Sequence, residues 1–190
     1  MAGLLLAACA PEPANRDSRG SEIIFLGDSL TAGVGASAGN DLPSRVSAAL
    51  KVPIVNAGVP GDTTAYALAR LDRDVLSRNP RLVVVTLGGN DFLQRRPLKE
   101  TFRDLDEIVR RIQEKGAMVV VAGVRSGLFG SPAQAEYRAL ARRRRAALIP
   151  DLLDGVFGHP SLMSDGVHPN DAGYAVVAER VRRVVEPLLK

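Results

Sequence analysis

Tryptophan is absent from this 190-residue chain and cysteine occurs once, so no internal disulfide can brace the fold. Histidine is nearly as scarce. His159 and His168 are the whole supply, no Cys/His cluster has zinc-ligand spacing, and imidazole chemistry near neutral pH must run through one of the two. A long apolar run is missing as well. The longest apolar-rich stretch, Met1 to Pro13, falls short of the ~20 residues that a membrane-spanning helix needs. Nor is one sign of charge in strong excess: 25 Lys+Arg against 21 Asp+Glu leave +4, too mild a basic balance to read as a nucleic-acid signature. With 46% hydrophobic and 24% charged residues the composition is that of one globular domain.

The start of the chain reads differently from the rest. Leu6-Ala7-Ala8-Cys9, followed by Pro11-Glu12-Pro13-Ala14-Asn15, resembles a bacterial lipobox, although no Lys or Arg precedes Cys9 as a signal peptide would require. The resemblance implies a lipidated Cys9, membrane attachment through it and a place in the bacterial cell envelope. Residues 1–18 are then expected as a leader and flexible tether, and residues 19–190 as a single domain.

From Ser21 onward, short β-type runs alternate with helical patterns. Strand candidates are Glu22–Leu26, Val52–Asn56, Leu82–Leu87 and Met118–Ala122, apolar on both faces as in a parallel sheet. Helical stretches run over Leu42–Leu50, Thr63–Ser77, Leu98–Lys115, Pro132–Arg145 and Asn170–Val185. Such alternation predicts a three-layer α/β/α sandwich on a mostly parallel sheet, expected to have five strands. In that architecture the functional loops leave the carboxyl ends of the strands.

Candidate chemistry collects on those ends. Ser29 follows the first strand in Gly27-Asp28-Ser29-Leu30; a nucleophilic serine also needs a base and an orienting acid. Asp165-Gly166-Val167-His168-Pro169-Asn170 supplies both, because a three-residue step can place carboxylate and imidazole on one side of a tight loop, with the acid expected to be buried. Pro169 holds His168 extended. Gly61, in Gly58-Val59-Pro60-Gly61-Asp62, and Asn90, after Gly88-Gly89, can offer an N–H and an amide to an oxyanion. Taken singly, Gly61 reads as a turn glycine and Asn90 as a cap; their joint occurrence on consecutive strand ends carries the functional reading.

These four blocks, in this order from Ser29 to Asn170, resemble the SGNH (GDSL) hydrolase superfamily, and are most similar to its arylesterase and thioesterase/lysophospholipase group. The resemblance implies a flavodoxin-like sheet, no metal and no cofactor. It implies Ser29 as nucleophile, His168 as base, Asp165 as its partner, and Ser29 N–H, Gly61 N–H and the Asn90 amide as oxyanion donors. Asp28 and Asp91 are assigned structural roles. The expected substrate is a small-molecule ester or lipid: aryl or short to medium acyl esters, thioesters or lysophospholipids, with Leu128 and Phe129 lining an acyl pocket. The alternatives are a carbohydrate O-acetyl esterase of the same superfamily and a non-catalytic lipoprotein that binds acyl chains or glycans.

Other features read as structural. Ser37 sits in a G-x-S-x-G pattern, Gly35 to Gly39, but no strand precedes it, and Gly33-Val34-Gly35 does not extend to a dinucleotide motif. His159 reads as a solvated loop residue. The four basic residues Arg142–Arg145 point in different directions around a helix and read as a solvated face.

Overall fold

The computed structural model describes residues 12–124 and 132–190. Cys9, Leu128 and Phe129 lie outside them. β1 (Glu22–Gly27) is followed by a single helical turn, α1 (Ser29–Ala32), and by α2 (Leu42–Leu50). β2 (Ile54–Gly58) leads into α3 (Thr64–Ala69) and α4 (Leu71–Asp74). β3 (Pro80–Thr86) precedes α5 (Gly89–Leu93) and α6 (Leu98–Glu114), and β4 (Met118–Ala122) precedes α7 (Pro132–Arg144). β5 (Ala147–Ile149) is followed by a long connection and α8 (Asp171–Val185).

The five strands lie in the order β2-β1-β3-β4-β5 and every neighbouring pair is parallel. Alternate residues of the central strands feed opposite faces. Ile23, Phe25, Val84 and Val120 pack under α2 and α8, whereas Ile24, Leu26, Val83 and Val119 pack under α3, α6 and α7. Burial on both sides explains why β3 and β4 read as unbroken Val runs. The chain is thus the expected α/β/α sandwich. Strand order reverses at β1, whose neighbours are β2 and β3, so the crevice used by such sheets opens where the β1 and β3 loops part.

Four local expectations differ. The second strand lies two residues later than its apolar run suggested, over Ile54–Gly58. The fifth strand, only three residues long, carries too short a pattern to be placed from sequence. The helix expected over Thr63–Ser77 is broken at Arg70, whose φ of −100° and ψ of 2° leave the helical range, and ends in a 3-10 turn at Leu76–Arg78. The basic run does not simply face solvent: Arg143 and Arg144 both pair with Asp106 on α6.

The stretch expected to be a tether is also seated on the body from Ala14 onward. Its N–H donates to the Arg145 carbonyl at 2.8 Å, and the Asn15 amide donates to Gln113 O and Ala117 O at 2.8 and 3.0 Å. Arg16 reaches the Pro187 and Leu188 carbonyls, each at 2.6 Å. These contacts lie beside the amino ends of β4 and β5, the edge of the sheet opposite the crevice.

Candidate active site

Ser29 opens α1 directly after β1 and is half-buried. Its turn is held by Asp28, buried at 2% exposure, whose Oδ1 accepts the Leu30 N–H at 3.0 Å and caps the helix. Removal from water pushes the Asp28 carboxyl up to about 6, against the opposing pull of that N–H.

The Ser29 hydroxyl lies 3.0 Å from His168 Nε2, and His168 Nδ1 lies 2.8 Å from Asp165 Oδ2. The loop that carries the pair is wrapped around one carboxylate. Asp165 Oδ1 accepts the N–H groups of Val167 and His168, both at 2.8 Å, and the Ser164 N–H donates to the His168 carbonyl at 2.9 Å. Pro169 pairs with Met163 in an isolated antiparallel bridge, and Asn170 caps α8 by accepting the Gly173 N–H. The side chain of His168 is therefore aimed by backbone on both sides. Asp165 itself departs from the expected burial: its side chain is 52% exposed. The His168 ring bond, followed by the two loop N–H groups, holds its carboxyl down to about 2, so hydrogen bonding rather than burial keeps the charge in place.

Gly61 occupies the third position of a tight turn, Val59-Pro60-Gly61-Asp62, closed by the Asp62 N–H to Val59 O at 3.1 Å. Proline second and glycine third at φ 83° is the type II pattern. A Cβ at Gly61 would meet no protein atom within 4 Å, so within the fold it is the positive φ of this turn that favours glycine. Asn90 lies in the first turn of α5. Its Nδ2 donates to the Asp62 carbonyl at 2.9 Å and has Asp28 Oδ2 at 3.4 Å.

Two buried groups brace the turn before Asn90. Tyr137 of α7 donates to Leu87 O at 2.6 Å, and a Cβ on Gly88 would lie 2.3 Å from that hydroxyl. Asp91, fully buried, accepts from Thr64 N (2.9 Å), Thr64 Oγ1 (2.7 Å) and Arg96 Nη1 (2.9 Å), locking α5 to α3. Arg96 in turn meets Asp104 of α6 at 2.6 Å.

Ser29, Gly61, Asn90 and His168 all line one cleft of about 700 Å³. Its walls are mainly apolar, with Val34, Phe92, Leu93, Leu153, Phe157 and Val167 among them, and Asp151 and Asp154 add carboxylates to the lining. Sequence reasoning missed all eight. Leu153 and Phe157 follow β5, and the rule that loops at carboxyl ends carry the site would have pointed to them had that strand been placed. Ser37 lies outside this cleft; its N–H and hydroxyl donate to Asp171 at 2.8 and 2.6 Å, tying its loop to the first turn of α8. His159 flanks an exposed 3-10 turn at Pro160–Leu162 and takes no part in the cleft.

Residues 25–176 match the model of the GDSL-like Lipase/Acylhydrolase family. Esterase TesA of Pseudomonas aeruginosa is 30% identical, over 100% of both chains. Thioesterase 1/protease 1/lysophospholipase L1 of Escherichia coli is also 30% identical, over 92% of this chain and 88% of its own. The crystal structure of TesA superposes with a TM-score of 0.83 at 30% identity, covering 88% of this chain and 99% of that one.

Proposed function

This chain belongs to the GDSL-like lipase/acylhydrolase family and is a serine hydrolase of carboxylic esters; on that premise we propose an acyl-enzyme mechanism centred on Ser29. Ser29 Oγ attacks the ester carbonyl while its proton passes to His168 Nε2. Asp165 Oδ2 accepts the His168 Nδ1–H and stabilises the imidazolium that forms. Charge developing on the carbonyl oxygen is met by the N–H groups of Ser29 and Gly61 and by the Asn90 amide. Collapse breaks the ester C–O bond, and the leaving alcohol takes the proton from His168. Water then attacks the acyl-serine, again giving its proton to Nε2, and the acid leaves with Ser29 restored.

One observation supports this most: in the hydroxyl–imidazole–carboxylate chain, at 3.0 and 2.8 Å, Ser29 and His168 line the same cleft as Gly61 and Asn90. The mainly apolar walls, together with the Asp151 and Asp154 carboxylates in the lining, favour uncharged aryl or short to medium acyl groups over anionic ones. Thioesters and lysophospholipids carry the same acyl part and fit the same reading; the Escherichia coli relative is named for both.

The test is labelling followed by turnover. A fluorophosphonate should modify Ser29 and no other serine, and turnover of p-nitrophenyl esters should rise with acyl length until the cleft is filled. Labelling elsewhere, with Ser29 untouched, would remove Ser29 from the mechanism.

A further inference from the structure

Arg70 breaks a helix and buries its charge: its side chain is only 9% exposed, and that of its partner Asp62 only 7%. A guanidinium taken from water must recover its hydration through close partners. Arg70 has four. Nε donates to Asp62 Oδ2 at 2.6 Å and Nη1 to Asp74 Oδ2 at 2.8 Å, while Nη2 is shared by the Ala57 and Gly27 carbonyls at 2.9 and 3.1 Å. The two carbonyls belong to the carboxyl ends of β2 and β1, and Gly27 immediately precedes Asp28 and Ser29. Gly27 O also accepts the Val59 N–H at 3.0 Å, so strand end and turn are joined twice.

Asp62 is the hub of this arrangement. Its N–H closes the turn that presents Gly61, its carbonyl accepts one hydrogen of the Asn90 amide, and its carboxylate is held by Arg70. With Asn90 Nδ2 donating to Asp62 O at 2.9 Å and more weakly to Asp28 Oδ2 at 3.4 Å, the orientation of the planar amide is set. We propose that Arg70 is a positioning residue of the oxyanion hole, its guanidinium fixing the Gly61 turn and the Asn90 amide against the loop that carries Ser29. The inference rests on the mechanism proposed above. Arg70 touches no substrate; it acts through Asp62. A lysine cannot replace it, because one ammonium lacks the planar fork that spans a carboxylate and two carbonyls.

The experiment compares Arg70→Lys, Arg70→Ala and Asp62→Asn with Asp74→Asn, which removes a carboxylate from the same guanidinium but leaves the turn contact in place. Turnover of p-nitrophenyl butyrate, inhibition by butylboronic acid and Tm are measured for each. Displacing the donors by a fraction of an ångström should lower kcat of the Arg70 variants by about 10–100-fold, with KM within about twofold. Butylboronic acid, which forms a tetrahedral adduct, should weaken in the same proportion. Asp74→Asn should lower Tm yet hold kcat within about twofold. If Arg70→Ala does not fold, Arg70→Lys and Asp62→Asn carry the test. Wild-type kcat and boronate affinity in the folded Arg70 variants would overturn the inference, as would losses in Asp74→Asn equal to theirs. Full activity in Ser29→Ala would instead overturn the mechanism beneath it, and the inference with it.

Discussion

Asp28, next to Ser29 in the chain, and Asp165, joined to it through His168, show how two carboxyl groups close to one nucleophile acquire opposite character. Asp28 is buried with a single close N–H donor, and its carboxyl is pushed up to about 6; Asp165 is exposed but ringed by donors, and is held down to about 2. A carboxyl whose folded value lies above its unfolded 3.8 binds more protons when folded, so its contribution to stability is full below about pH 4 and is lost as pH rises through about 6. A shift of this size corresponds to about 3 kcal/mol. Asp28→Asn should therefore gain stability relative to wild type as pH is raised from 4 to 7, with no such gain below 4, as read by urea melts across that range. Asp165 works in the other direction: its ionised form is favoured by folding and is lost only as pH falls toward 2. At the same scale, Ser29→Ala should lower turnover by about 10⁵–10⁶-fold with the fold intact. Asn90→Ala should cost about 10²–10³ in kcat, measured on one p-nitrophenyl ester. Ser29, Asp165, His168, Gly61 and Asn90 were legible as candidates only together, because their short motifs fall on the same edge of the expected sheet, each being unremarkable alone. The exposure of Asp165 was not, since it depends on which residues pack above the loop.

Among the elements, long amphipathic helices were read well and short elements poorly. α6 and α8 carry several turns of periodic apolar residues, and the expected bounds fall within one residue of those observed. α1 and α5, a turn or so each, are set by capping and by side chains reaching from elsewhere, and no local pattern announces them. α5 owes its start to Tyr137, a residue 50 positions from the carbonyl it holds. Tyr137→Phe keeps the ring, which packs edge-on to Phe102 with centroids 4.9 Å apart, but leaves Leu87 O without its donor. The variant should lose about 1–3 kcal/mol of stability in chemical denaturation, and kcat should fall with it because Asn90 follows that carbonyl by three residues. The broken helix at Arg70 has the same origin. Thr63 to Ser77 is helical in propensity throughout, and the break is imposed by carbonyls and a carboxylate that arrive from β1, β2 and the Gly61 turn.

For the molecule as a whole, alternation of strand and helix was sufficient to give the three layers, because parallel strands must be covered on both faces. Strand order was not available from pattern alone; it follows from which faces pack, and those contacts join residues far apart in the chain. The sheet separates two apolar clusters, one under α2 and α8 and one under α3, α6 and α7. Ile23→Val and Ile108→Val, on opposite sides of it, should each cost about 0.5–1.5 kcal/mol, and the double variant should cost their sum to within about 0.5 kcal/mol. A larger discrepancy in the melts would mean that the sheet passes strain from one layer to the other. Docking of Ala14–Arg16 against Arg145, Gln113, Ala117 and the Pro187–Leu188 turn was hidden for a further reason: a Pro-, Asn- and Arg-containing stretch gives no apolar signal, and its bonds go to carbonyls. That docking has a practical corollary. Both the first described residues and the last lie on the side away from Ser29, so resin, affinity tag or fused protein joined directly to residue 12 of a shortened chain, or to Lys190, would sit behind the catalyst and leave its entrance open to incoming ester.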